Sequence, residues 1–167
     1  MATVLLWLAV ALLVVVLLGI GVWAYQTANR LDRLHVRYDL SWQALDAALG
    51  RRAVVARAIA AEAQPGPERA ALAALADAAE QAPRWTREGC ENELSTALSQ
   101  VDLETIPPAL VDELAEAESR VLLARRFHND AVRDTLALRE RRPVRWLRLG
   151  GHAPLPTYFE IAEQAQR

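Results

Sequence analysis

No side chain between Met1 and Asn29 carries a charge, and Arg30 is the first that does. Within that stretch Val4 to Tyr25 is an almost unbroken apolar run. At ~1.5 Å rise per residue a helix of that length reaches about 33 Å, enough to cross a hydrocarbon core of roughly 30 Å. Trp7 lies near one end and Trp23 and Tyr25 near the other, at the depths where amphipathic rings form interfacial belts. A cleaved signal peptide is the competing reading. It wants a basic leading region, a core of about 7–15 residues and a small-x-small cleavage site. Here no Lys or Arg precedes the core, the core is too long, and Gln26-Thr27-Ala28 is a poor match. The expected anchor therefore occupies residues 1–27. The side before the span has no arginine, whereas Arg30, Arg33 and Arg37 follow it, so the positive-inside rule places the N-terminus outside and the rest of the chain in the cytoplasm, on a cell membrane.

The remaining residues are enough for one modest domain. Of the 167 residues 53% are apolar yet only 6% aromatic, and alanine is abundant, a mixture that favours closely packed helices over a β-sandwich. Leu31, Leu34, Tyr38, Trp42, Leu45 and Leu49 recur at steps of three and four, and Ala56, Ile59 and Ala63 continue the stripe, which predicts an amphipathic helix continuous with the anchor. Gly50 and the Arg51-Arg52 pair interrupt this seam. Pro65-Gly66-Pro67 predicts an end near Gln64 and a new start, with Glu68 suited to the new helix's dipole. A second helix is expected over Glu68 to Ala82, with Leu72 and Leu75 inward, until Pro83 breaks it. A third is expected from Thr86, which offers a capping oxygen, to Asp102, burying Leu94, Leu98 and Val101. Pro107-Pro108 opens the longest soluble helix, Ala109 to Arg142, with Leu110, Leu114, Ala117, Val121, Ala124 and Leu138 on its inner face. Pro143 is expected to terminate it. A basic amphipathic stretch, Val144 to Leu149, precedes Gly150-Gly151. In the tail, 150–167, Tyr158, Phe159 and Ile161 are expected to pack back onto the body, 28–149. No alternating run of useful length occurs, so no strand is expected. The fold class is thus all-α: a transmembrane helix followed by an antiparallel helical bundle of four-helix type.

The segments "ANRLDRLHVRYDLSWQALDAALGRR" at 28–52, "ENELSTAL" at 91–98, "ESRVLLARRFHNDAVRDTLALRERRP" at 118–143 and "PTYFEI" at 156–161 together resemble the LemA family. The likeness covers nearly the whole length. Its most specific parts are the Glu-x-Arg…Ala-Arg-Arg-Phe-x-Asn-Asp-Ala-Val order and the terminal Tyr-Phe-Glu-Ile. The resemblance implies an antiparallel helical bundle on an N-terminal anchor, with a cytoplasmic domain and no catalytic residues to carry over. The position of His128 usually holds Tyr in that pattern, and the segment after Pro143 is here richer in arginine.

Candidate chemistry is sparse. Di-metal bundles use inward carboxylates and Glu-x-x-His pairs. His128 is preceded at three residues by Arg125, Asp32-x-x-His35 lacks a second such pair, and no metal or other cofactor is expected. Ser41, Ser95, Ser99 and Ser119 lie in helical patterns without a glycine elbow, Cys90 has no evident His partner, and Gly150-Gly151 lacks the strand-to-helix setting of a phosphate loop, so no enzyme is expected. His128 is read as half-buried and locally hydrogen-bonded, with pH sensing as its functional alternative. The richest polar constellation is Glu118, Arg120, Arg125, Arg126, Asn129, Asp130 and Arg133. Arg126 and Asp130 stand four apart and Asp130 and Arg133 three apart, so they can pair as a solvated face or form a docking surface. Arg139, Arg141, Arg142, Arg145 and Arg148, with Trp146, Leu147 and Leu149, make a basic, partly apolar end. The net charge of −2 gives no general pull toward nucleic acid. Anionic lipid headgroups suit Arg142, Arg145 and Arg148 better, at about 1 kcal/mol per arginine near the surface. The function expected is that of a non-enzymatic scaffold or adaptor for a protein partner. The alternatives are a self-assembling structural membrane protein (a homo-oligomer) and a ligand- or metal-binding bundle.

Overall fold

The computed structural model describes residues 1–62, 66–151 and 153–161. The expected helix end at Gln64, the Ala63 step of the stripe, Pro65, His152 and tail residues 162–167 lie outside the described residues. Among the described residues the regular structure is entirely helical: α1 (Ala2–Glu62), α2 (Pro67–Gln81), α3 (Arg84–Ser99), a short 3-10 turn (Leu103–Thr105), α4 (Pro108–Arg139) and α5 (Arg142–Trp146). By length and composition α1 can cross a membrane, and none of its most apolar window is buried.

Proline sets most of the boundaries. Pro67 and Pro108 stand at or next to the first residues of α2 and α4, where a missing N–H costs nothing. Pro83 precedes α3 in extended geometry (φ −66°, ψ 158°), and Thr86 is already inside that helix. Its hydroxyl donates back to the Pro83 carbonyl at 3.2 Å, so it is not the capping acceptor the sequence suggested. Asp102 lies beyond the end of α3 and accepts instead from the Glu104 N–H at 3.1 Å, capping the 3-10 turn. α4 ends at Arg139, three residues short of expectation. Arg141 turns extended (ψ 130°), and Pro143 falls in the first turn of α5, where it helps start a helix.

The chain divides into two compact units, one of Met1–Asp39 with Ala131–Pro156, the other of Leu40–Asp130 with Thr157–Arg167. In the second unit Ala53, Ala56, Ile59 and Ala60 of α1, Leu72, Ala76 and Ala79 of α2, Leu94 and Leu98 of α3, and Leu114 and Ala117 of α4 form one core, closed by Ile106. Six of these residues are alanine, which lets helix backbones approach closely at little side-chain entropy cost. A smaller cluster joins Leu45, Leu49, Val121 and Phe159, with Trp42 and Ala124 against it. In the first unit Leu31, Leu138 and Val144 bury one another, with Leu34 and Leu149 at their edge.

Candidate functional sites

α3 buries Arg87, Glu91 and Ser95 on the same stripe as Leu94 and Leu98. Arg52 of α1 lies in phase with Leu45, Leu49, Ala56 and Ile59 and is likewise buried, so it belongs to the seam that the sequence reading had it interrupt. The Glu91 carboxylate, fully buried, is held from two sides: by Arg52 Nη2 at 2.5 Å and by Arg87 Nε at 3.0 Å. Arg52 also donates to Ser95 Oγ at 3.0 Å and to the Glu91 carbonyl at 3.2 Å. Arg87 Nη1 reaches Asp46 Oδ1 at 3.1 Å and the Glu80 carbonyl at 3.1 Å. Two guanidinium groups and two carboxylates make the group electrically balanced, the condition on which buried charge is tolerated. Sequence reasoning missed this network. The signal was present, because three charged residues occupy apolar-phase positions of two helices.

His128 of α4 is also buried, at 1% exposure, rather than half-buried. Its partners are distant in sequence. Nε2 lies 3.3 Å from the Thr157 carbonyl and Nδ1 3.1 Å from Ser41 Oγ. A carbonyl can only accept, so the neutral ring carries its proton on Nε2 and Nδ1 accepts from the Ser41 hydroxyl. Trp42 meets the imidazole edge-on at 5.6 Å, and the Arg84 guanidinium covers the Trp42 ring at 4.2 Å. Burial pushes the His128 pKa down, the Thr157 contact opposes that, and the Arg84 charge adds to it. Beside it, Asn129 clasps the tail through two bonds. Its Nδ2 donates to the Phe159 carbonyl at 3.1 Å, and the Phe159 N–H donates to its Oδ1 at 2.9 Å. Phe159 is thereby seated in the smaller cluster, whereas Tyr158 stays 47% exposed.

The other residues of the α4 constellation are dispersed. Glu118 and Arg125 are half-buried, and Arg125 stands 4.0 Å from Glu160. Arg126 is exposed, Asp130 half-buried, and Arg133 exposed in the first unit. Arg120 pairs with Glu116 one turn away on the open surface, a contact worth tenths of a kcal/mol. Among these, Leu122, Leu123 and Phe127 expose 52%, 53% and 56% of their surface.

In the first unit Arg142, Arg145 and Arg148 are all exposed. α5 closes with a Schellman pair: Leu149 N–H to the Val144 carbonyl at 3.0 Å and Arg148 N–H to the Arg145 carbonyl at 3.2 Å. Arg148 occupies the left-handed position (φ 50°) that glycine ordinarily fills there. Arg139, half-buried, donates to the Ala153 carbonyl at 2.6 Å and the Pro154 carbonyl at 3.1 Å, and a Cβ on Gly150 would stand 3.1 Å from its Nε. Its role is thus to staple the loop after α5. The chain matches no protein-family model, no curated protein and no solved structure.

Proposed function

We propose that this chain is a single-pass membrane protein of LemA type, whose antiparallel helical bundle works in the cytoplasm as a non-enzymatic scaffold for a protein partner. The bare apolar opening of α1, continuous with a helix that enters a packed core, supports the anchor. The observation that carries the scaffold reading is the exposed trio Leu122, Leu123 and Phe127. Leu123 and Phe127 lie four apart on one helix face, and large apolar side chains grouped in the open mark interaction surfaces. Arg126 and Asp130 stand at the rim, and Arg125 and Glu118 lie deeper, so an apolar centre is framed by charge, as in protein interfaces.

A photo-crosslinking residue at Phe127, in the full chain in its native membrane, should yield one discrete adduct. Leu123→Glu with Phe127→Glu should abolish co-purification of the same partner while leaving the helical spectrum and melting temperature unchanged. An adduct of twice the chain's mass makes the partner a second copy. No adduct, or a partner retained by the double variant, refutes the docking face.

A further inference from the structure

We propose that α5 and the turn after it form a second membrane contact, in which Arg142, Arg145 and Arg148 bind anionic phospholipid headgroups while Trp146 and Leu147 sit among them. The inference rests on the anchor reading and adds a lipid-recognition site to it.

Placement comes first. Val144 of α5 buries itself against Leu31 of α1, together with Leu138 and Leu149. Leu31 is six residues beyond Tyr25, where the apolar run ends, or about 9 Å along a helix axis. The headgroup layer on each side of a bilayer is roughly 5–8 Å deep. Extended arginine and tryptophan side chains on α5 bridge the small remainder. Burial on α1 begins at this level: Trp23 is 41% exposed, whereas Thr27 is buried and satisfies its hydroxyl on the Trp23 carbonyl at 2.8 Å.

The composition of α5 then selects the occupant. One side is sealed, with Val144 at 1% exposure. The other offers Trp146 at 85% and Leu147 at 48%, between three exposed arginines. An indole left open on a five-residue helix is costly in water, yet at a bilayer interface its ring is apolar and its N–H stays wet. Arginine stems lie along apolar surface with their heads in the polar layer. The exposed charges nearest in sequence to Leu31 and to α5 are Arg30, Arg33 and Arg141 against Asp32 and Glu140, a net basic set. Nearness to the apolar run favours lipid phosphate over an acidic protein as the partner.

The test uses the full chain in vesicles of phosphatidylcholine alone, and in vesicles with a third of the lipid replaced by phosphatidylglycerol. Bromines on the acyl chains near the carbonyls quench indoles at the interface. The Trp146 signal is the emission of the natural chain minus that of Trp146→Phe. It should fall at least twofold in anionic brominated vesicles and less in neutral ones. Arg142→Gln with Arg145→Gln and Arg148→Gln should remove that difference, because each arginine near an anionic surface contributes about a fivefold preference. Quenching that is equal in both vesicles overturns headgroup recognition. Quenching by aqueous acrylamide but not by bromolipid overturns the contact altogether, provided Trp7 and Trp23 in the Trp146→Phe chain are quenched by bromolipid. If those two also escape, the anchor itself fails and this inference falls with it.

Discussion

Replacing Glu91 by glutamine probes the buried network at its hub. The carboxylate is wholly enclosed and accepts from Arg52 and Arg87, whose side chains are only 5% and 4% exposed. The amide of Glu91→Gln keeps the shape but removes the charge and turns one acceptor into a donor facing a guanidinium. Arg87 keeps Asp46, which is half exposed, and the Glu80 carbonyl. Arg52 keeps only neutral acceptors, Ser95 Oγ and the backbone carbonyl at position 91. An uncompensated buried charge of this kind costs about 3–5 kcal/mol. For a folding unit of roughly 100 residues this lowers the melting temperature by about 15–25 °C. Differential scanning calorimetry of the chain in detergent reads it directly. Arg52→Met, Arg87→Met and Glu91→Leu together should recover most of the loss, since an apolar replacement of a whole buried ion group is often neutral or stabilising. A shift below about 3 °C for Glu91→Gln would refute the reasoning, because it would mean that water reaches the group.

Three further perturbations have definite signs. Because burial holds the His128 pKa below the ordinary 6.5, the unfolded chain takes up a proton as pH falls through 6.5 while the folded chain does not. Stability should therefore be steady above about pH 7 and decline from pH 6.5 downward, by at most about 1.4 kcal/mol per pH unit, and His128→Gln should flatten that limb of a urea-denaturation series. Asn129→Asp sets a carboxylate oxygen against the Phe159 carbonyl, so amide exchange at Phe159 should accelerate by about tenfold or more while α4 stays protected. Gly50 lies inside α1 and an added Cβ there meets nothing within 4 Å, so Gly50→Ala should raise stability by about 0.5–1 kcal/mol, read as a higher urea midpoint at unchanged slope.

Helices were legible because they are periodic. The stripe through Leu31, Leu45, Leu49, Ala56 and Ile59 is buried as its spacing implies, and Pro67, Pro83 and Pro108 mark three real boundaries. What escaped was polar. A search for apolar periodicity discards Arg52, Arg87 and Glu91 at the outset, although all three are in phase, because a charge on a core stripe makes sense only once its partner on another helix is known. Arg52 and Glu91 stand 39 residues apart, a separation no local pattern encodes. Pro143 misled for a different reason: the same fixed φ that ends one helix begins the next, and only the extended Arg141 decides between them. In the α4 constellation the residue types were conspicuous, but whether each faces a partner, the tail or solvent depends on packing. Asn129 and His128 hold Phe159 and Thr157, and Arg126 faces outward.

The proposed membrane span and its proposed direction can be tested with a single thiol. Cys90 packs against the core, so Cys90→Ser with Ser99→Cys moves the only thiol to an exposed site at the end of α3. In sealed cells a membrane-impermeant maleimide should leave residue 99 unlabelled, and permeabilisation should label it fully, with the uncleaved chain staying in the membrane pellet after alkaline extraction. Labelling in sealed cells would reverse the orientation, and a soluble product lacking the apolar run that ends at Tyr25 would remove the anchor on which the proposed function depends.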